Sequence, residues 1–120
     1  MKHLKKFEAF YDNEVLKFIY QLEELDKELS ARSYEGWGMS VHYTFDENID
    51  FILVEMSASG YSDGFHRDMK IYYKEHMVGP IKVEEWESSF SPYGEGESNA
   101  VKEYDSYDDI IEEIKSHFGL

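Results

Sequence analysis

The stretch WGMSVHYTFDENIDFILVEM, residues 37–56, contains two segments with the residue pattern of β-strands. From Trp37 to Phe45, apolar side chains alternate with small or polar ones, which is typical of a strand with one buried face. Residues 49–56 are apolar on both faces, which predicts a strand near the centre of a sheet. The polar connection at residues 46–48 is too short for a crossover helix, so antiparallel pairing is expected.

Two further strands are predicted downstream. Residues 67–78 alternate again, and residues 81–90 follow after a turn at Gly79-Pro80. A phase slip at Glu84-Glu85 in the last of these strands is consistent with a β-bulge.

The remaining segments of this region are predicted to be loops. Residues 57–66 contain Gly60, Gly64 and three serines, which favours a loop. Residues 91–105 are predicted to be mostly loop, with Ala100–Tyr104 as a candidate short edge strand. The expected sheet therefore has four strands.

Amphipathic helices are predicted on both sides of the sheet segment. Apolar residues recur every three or four positions from Leu4 to Leu29, with Asp12-Asn13 as a candidate N-cap that restarts the helix. A second helix is expected to begin at Ser106, because Asp109 follows at capping-box spacing. The sequence thus predicts one α+β domain over residues 1–120, in which a four-stranded antiparallel sheet packs against an N-terminal and a C-terminal helix.

Composition limits the compartment and the chemistry. Hydrophobic residues make up 42% of the 120 residues and aromatic residues 17%, which argues against disorder. Cysteine is absent, which excludes disulfides, thiolate catalysis and cysteine-bound zinc. The basic start is not followed by an apolar signal-peptide core, and no window resembles a membrane span. We therefore expect a soluble, cytoplasmic protein.

Acidic residues are in large excess and are unevenly distributed. The formal net charge is -14, and residues 84–113 hold eleven acidic residues and one basic residue, Lys102. Such a field repels nucleic acid and anionic lipid and attracts basic protein surfaces. The sequence therefore predicts a basic protein partner, with no direct binding to nucleic acid or membrane.

The sequence offers no complete metal, cofactor or catalytic motif. Asp46, Asn48 and Asp50 match the first three ligand positions of a calcium loop. However, Phe51 and Ser57 stand where that loop needs Gly and Glu, so a polar turn is favoured. Nothing pairs a nucleophile with a base, and no metal ligand, catalytic residue or cofactor is predicted.

Histidines provide an alternative hypothesis. Asp63, His66 and Asp68 cluster in the predicted 63–68 loop, although Arg67 among them works against a cation. His42 and His76 occupy polar-face strand positions and would be close if the first and third strands were neighbours. A small-ligand or enzymatic site near these histidines and the 63–68 loop is therefore kept as the alternative.

The favoured hypothesis is a non-enzymatic inhibitor that covers a basic, nucleic-acid-binding surface of a partner such as a nuclease. Spacings of about 6–7 Å along strands and helices let carboxylates stand in for phosphates. Anti-restriction, anti-CRISPR and toxin-immunity proteins act in this general way, a comparison that rests on size and charge alone. A homo-oligomeric assembly subunit is a third hypothesis. The residues expected to bind the partner are Glu84, Glu85, Glu87, Tyr93, Glu95, Glu97, Tyr104, Tyr107, Asp108, Asp109, Glu112 and Glu113.

Overall fold

The chain forms two α-helices and an antiparallel β-sheet. The computed structural model describes residues 13–45, 50–73 and 80–120. None of the helices in these ranges combines the length and the apolar character needed to cross a membrane. The elements follow in the order α1 (Asn13–Arg32), β1 (Trp37–Thr44), β2 (Ile52–Gly60), β3 (Gly64–Ile71), β4 (Ile81–Ser91), β5 (Gly94–Tyr104) and α2 (Tyr107–His117).

The five described strands form a meander. Their order in the sheet is β1-β2-β3-β4-β5, and each strand pairs antiparallel with the next one along the chain. The connections within the described part are short because each strand returns directly beside its predecessor. The α+β class, the antiparallel sheet and the two helices predicted from the sequence are thus confirmed.

The sheet has two different faces because successive side chains of a strand point in opposite directions. One face carries Val54, Met69 and Val83, which pack in one core cluster with Phe18 of α1 and Ile110 of α2. We call this side the covered face, because both helices lie on it. The opposite side, here called the open face, includes a row of residues that are cross-strand neighbours: His42, Glu55, Asp68, Trp86 and Asn99.

Helix α1 packs on the covered face through an apolar stripe at helical spacing. Phe18, Leu22 and Leu29 are almost completely buried. The exposed side of the helix carries charges of both signs. Lys27 pairs with Glu24 at 3.1 Å and Arg32 pairs with Glu28 at 3.0 Å, and both pairs are exposed. Exposed pairs of this kind stabilise a helix by only about 0.3–0.5 kcal/mol, so packing of the apolar stripe dominates.

Helix α2 begins and ends with local capping contacts. The Ser106 side chain accepts a hydrogen bond from the Asp109 backbone N–H at 3.2 Å, as the capping-box spacing predicted. At the other end, Gly119 has a positive φ of 74°, which suits a residue without a Cβ. Between these caps, Ile110, Ile111 and Ile114 are buried against the core.

Replacing Ser106→Ala is expected to lower the free energy of unfolding by about 1 kcal/mol, because the Asp109 N–H would lose its side-chain acceptor. Urea denaturation followed by circular dichroism measures this change. Ser106→Asp, which keeps an acceptor at the N-cap, should lose much less. Equal losses for the two variants would show that the cap does not stabilise α2.

The prediction of four strands was wrong, because residues 94–104 form a fifth strand, β5, instead of a loop. The 57–66 segment was also misassigned, since β2 continues to Gly60 and β3 begins at Gly64. Glycine is needed here for space: a Cβ at Gly64 would lie 2.5 Å from the Ala58 carbonyl oxygen. These glycines allow close backbone approach within paired strands.

The predicted bulge at Glu84-Glu85 is absent. The pairing of β4 is continuous with both neighbours, with Glu85 opposite Met69 on one side and Ala100 on the other. The alternation simply places the Glu85 carboxylate on the covered face. The predicted connection at residues 46–48, the end of the predicted third strand with His76, the Gly79 turn position and the helical pattern before Asn13 lie outside the described residues.

Candidate functional site

The twelve residues predicted to bind a partner do not form one surface. Asp108, Asp109 and Glu112 are exposed on α2, which lies on the covered face. A second group lies between the sheet and α2, either on the covered face of the sheet or on the side of the helix that faces it: Glu85, Glu87, Tyr104, Tyr107 and Glu113. A third group belongs to the open face or the tip of the β4–β5 hairpin: Glu84, Tyr93, Glu95 and Glu97.

The second group is built around a buried arginine. Arg67 of β3 is only 6% exposed, and its guanidinium lies 2.9 Å from the Glu85 carboxylate and 3.6 Å from that of Glu87. Lys102 lies 3.1 Å from Glu85 and 3.7 Å from Glu113 of α2. Glu85 is therefore a buried, neutralised carboxylate and offers nothing to a partner.

The groups around Glu85 favour the ionised form of its carboxyl. Burial raises the pKa of its carboxyl, but contacts from Lys102 and Arg67 and a hydrogen bond from the Tyr104 hydroxyl outweigh burial and lower the pKa. The same environment raises the pKa of Tyr104 through burial and its bond to Glu85. Tyr107 is also buried, at 6% exposure, against Phe18. Both tyrosines therefore make contacts inside the fold, Tyr104 with Glu85 and Tyr107 with Phe18.

The β4–β5 hairpin is the most exposed part of the sheet. Within the described ranges, strand β5 pairs with β4 alone and forms an edge of the sheet, and every residue from Gly94 to Glu103 is exposed. Its apolar neighbours are exposed as well: Tyr93 at the tip by 99%, Val101 by 67% and Phe90 by 40%. An edge strand presents a row of backbone N–H and C=O groups that a further strand can pair with.

Charges separate cleanly between the two sides of β5. Lys102 is directed to the covered face, where it neutralises Glu85. Alternation places Glu95, Glu97 and Glu103 on the open face, so every charge of β5 on this side is negative. Trp86 of β4 donates its indole N–H to Glu97 at 2.6 Å, which fixes one of these carboxylates beside an aromatic ring.

Glu103 was not among the predicted binding residues. The period-two pattern Glu95, Glu97, Asn99, Val101, Glu103 was present in the sequence, but the glycines and polar residues between them favoured a loop. Glu84, which was predicted, accepts a hydrogen bond from the Tyr72 hydroxyl at 2.5 Å and lies beside Lys70 and Lys82 on the open face. It therefore belongs to a mixed-charge part of this face.

The predicted 63–68 cluster is rearranged by the strand pairing. His66 and Asp68 lie on β3 rather than in a loop, and Asp63 lies in the connection before it. Glu55 of β2 takes the third position of the cluster, directly opposite Asp68. The ligand atoms of Glu55, His66 and Asp68 all lie within 4.8 Å of one another. Glu55 was missed because nothing in the sequence specifies cross-strand register.

His42 does not join a second histidine in the described part of the chain. It lies on β1, and β2 separates β1 from β3, so the first and third strands are not neighbours. Its cross-strand neighbour is Glu55. A shallow depression beside His42 is lined by Glu23 and Asp26 of α1. The second histidine of the predicted pair, His76, lies outside the described residues.

No family model, curated protein or solved structure matches this chain.

Proposed function

We propose that this protein is a non-enzymatic acidic binding protein that captures a basic, extended segment of a partner along the free edge of β5. One observation carries the proposal: an exposed edge strand of eleven residues whose open-face charges are all carboxylates. Main-chain hydrogen bonds to the edge would supply affinity, and the carboxylates would select lysine and arginine side chains at alternate positions.

The geometry matches a strand better than a globular surface. Glu95 and Glu97 are two residues apart on one side of β5, so their carboxylates are about 6.8 Å apart along the strand, and Glu103 lies on the same side six residues beyond Glu97. A partner strand with basic residues at every second position has the same repeat. The exposed rings of Tyr93 and Phe90 at the hairpin tip offer apolar contact area at one end.

Charge opposes self-association through the same edge. Antiparallel pairing of two β5 strands about Asn99 would place Glu95 opposite Glu103 of the second copy, and parallel pairing in register would place each carboxylate against its equivalent. Like charges directly opposite one another destabilise a strand pair. Each copy also carries a net charge of -14. The edge is therefore suited to a basic partner rather than to a homo-oligomer.

Nucleic-acid-binding proteins are the partner class that this surface fits. Their binding surfaces concentrate lysine and arginine because they neutralise phosphates. Exposed Asp108, Asp109 and Glu112 on α2 add to the long-range attraction without lying on the edge. Occupying a basic segment of such a partner, a nuclease for instance, would block its access to nucleic acid, which is the inhibitory role expected from the sequence.

The test uses a fluorescent peptide of alternating lysine and valine and the full chain. We expect Glu95→Lys/Glu97→Lys/Glu103→Lys to weaken peptide binding by about tenfold or more, because three favourable charge pairs become repulsive. Fluorescence anisotropy at low and at moderate salt measures the affinity. Binding should also weaken as salt rises, because exposed pairs are screened.

The matched control is Asp108→Lys/Asp109→Lys/Glu112→Lys, which changes the net charge by the same amount on exposed residues of α2. This variant should bind the peptide within about threefold of the unmodified protein. An N-methylated peptide, which lacks the main-chain donors, should bind poorly to both. If the two triple variants lose the same affinity, net charge alone causes binding, and the β5 edge is not the docking site.

A further inference from the structure

Three side chains with metal-binding chemistry share one patch of the open face. His66 and Asp68 are two residues apart on β3 and so point to the same side, and Glu55 faces Asp68 across the β2–β3 pair. The His66 Nε2 atom lies 2.9 Å from Asp68 Oδ1. The one ligand atom that each of the three residues offers lies within 4.8 Å of the other two, and all three side chains are partly exposed. The patch combines an imidazole with two carboxylates.

The basic residues around this patch are directed elsewhere. Arg67 lies between His66 and Asp68 in sequence, but strand alternation sends it to the covered face, where it pairs with Glu85. Lys70, the next residue of β3 on the open face, has its ammonium 5.3 Å from the centroid of the Phe51 ring. Arg67, which counted against a cation when the sequence was considered alone, is therefore not part of the site.

Two carboxylates oppose each other directly in this patch. Glu55 and Asp68 are cross-strand partners, and like charges in this position repel. Among the described residues, neither Glu55 nor Asp68 has an ion pair with a lysine or arginine, and Asp68 contacts the His66 ring. A cation bound between the two strands would remove the repulsion. This arrangement distinguishes the patch from the acidic groups that are dispersed over α2.

We propose that Glu55, His66 and Asp68 form a binding site for a divalent transition-metal ion, with Zn²⁺ as the best fit. Zinc accepts imidazole nitrogen and carboxylate oxygen, and three protein ligands leave a position for water or a ligand. Ligand atoms around tetrahedral zinc are about 3.3 Å apart, given bond lengths near 2.0–2.1 Å. The three ligand atoms, which lie within 4.8 Å of one another, would approach to that distance by rotation about their side-chain bonds. Binding the metal through Nε2 places the imidazole proton on Nδ1, and the metal replaces the contact of Nε2 with Asp68.

Trp86 provides an intrinsic reporter of this site. Its ring centroid lies 5.9 Å from that of His66, and it is the cross-strand neighbour of Asp68 on β4. Metal binding would fix the His66 ring and change the charge beside the indole. We therefore expect a change in tryptophan fluorescence on metal addition that disappears in Trp86→Phe, while the second tryptophan, Trp37, does not respond.

The decisive experiment titrates the full chain with ZnCl₂ by calorimetry at about pH 7.5, because zinc must displace protons from its ligands and protons compete less at this pH than in acid. We expect one site with a dissociation constant in the range of about 1–100 μM, and binding of Mg²⁺ at least about tenfold weaker, because magnesium does not favour imidazole. His66→Ala and Glu55→Gln should each weaken zinc binding by about tenfold or more.

The matched pair is Asp68→Asn and Asp63→Asn, which make the same chemical change five residues apart. The first should weaken zinc binding at least about tenfold and the second by less than about twofold. Both asparagine variants keep the shape of the side chain, and circular dichroism confirms the fold. The proposal is overturned if about 1 mM zinc produces no binding heat, if the two asparagine variants bind alike, or if magnesium binds as tightly as zinc.

Discussion

Arg67→Ala should lower the free energy of unfolding by about 3–5 kcal/mol. The guanidinium is buried and holds Glu85, whose side chain is 3% exposed, at 2.9 Å. In the part of the chain that the structure describes, Lys102 is then the one cation left to neutralise the buried carboxylate, and a cavity remains between the sheet and α2. An uncompensated buried charge is among the most destabilising single changes known. Urea or thermal unfolding of the two proteins at neutral pH measures the difference.

Two further variants separate the charge from the packing. Arg67→Met combined with Glu85→Leu removes both charges while keeping apolar volume, and this double variant should be much closer to the unmodified protein in stability. Lys102→Ala, which removes a side chain that is 43% exposed, should cost about 1 kcal/mol or less. If Arg67→Ala costs no more than Lys102→Ala, the buried cluster does not hold the sheet and α2 together.

The cost of Arg67→Ala should also depend on pH. Burial raises the pKa of the Glu85 carboxyl, but Lys102 and Arg67 outweigh burial and hold the folded pKa below its usual value. The stabilisation from ionised Glu85 is therefore fully present above the unfolded pKa and is lost as pH falls through the lower, folded pKa. Unfolding measured in acid should show a smaller difference between the two proteins than unfolding at neutral pH.

Phe18→Ala should be the second severe change, with an expected loss of about 3–5 kcal/mol. Phe18 is 0% exposed, and its ring centroid lies 5.1 Å from that of Tyr107 at the start of α2. The side chain thus joins the two helices over the covered face. Its removal deletes an aromatic contact and opens a cavity that surrounding isoleucines and leucines cannot fill by rotation alone. Urea denaturation measures the loss.

Phe18→Leu is the matched control for cavity formation. Leucine keeps most of the apolar volume, so the expected loss is about 1.5 kcal/mol or less. Tyr20→Ala, on the same helix but 45% exposed, should cost still less because that ring leaves little space behind. Similar losses for Phe18→Ala and Tyr20→Ala would contradict the assignment of Phe18 to the interface between the helices.

Local periodicity predicted the elements whose burial repeats regularly. The apolar spacing of α1 matches its buried stripe at Phe18, Leu22 and Leu29, and the capping pair Ser106 and Asp109 marks the start of α2 correctly. These elements bury one face against the core, so the sequence itself carries the pattern. The alternation of β1 is visible for the same reason.

Strand β5 was mostly missed because its own residues do not favour a strand. Its sequence, GEGESNAVKEY, is rich in glycine and polar residues, and ten of its eleven positions are exposed. Pairing with β4 over eleven residue pairs stabilises it instead. Gly60 and Gly64 favoured a loop in the sequence, but in the structure they lie in strands, where the close approach of neighbouring backbones leaves no room for a Cβ.

The candidate sites depend on contacts between strands, which the sequence does not specify. The sequence predicts Glu85 as a surface charge because its partner, Arg67, is distant in sequence, and the two side chains meet only because β3 and β4 are adjacent. Glu55 joined His66 and Asp68 for the same reason. The excess of acidic residues is visible in the composition. The position of Lys102 on the covered face shows that the charges on the opposite, open side of β5 are all carboxylates.

The meander has a consequence for the order in which the chain folds. Each strand pairs with its predecessor, so the sheet can extend one hairpin at a time with short loop closures. In contrast, Phe18 of α1 packs against Tyr107 of α2 across most of the chain length. During synthesis on the ribosome, part of the apolar stripe of α1 would therefore stay exposed until α2 has emerged. Because Asp26 of α1 accepts a hydrogen bond from Val41 of β1, α1 can dock on the first hairpin, and we expect the final step of folding to be the docking of α2 on a sheet that is already paired.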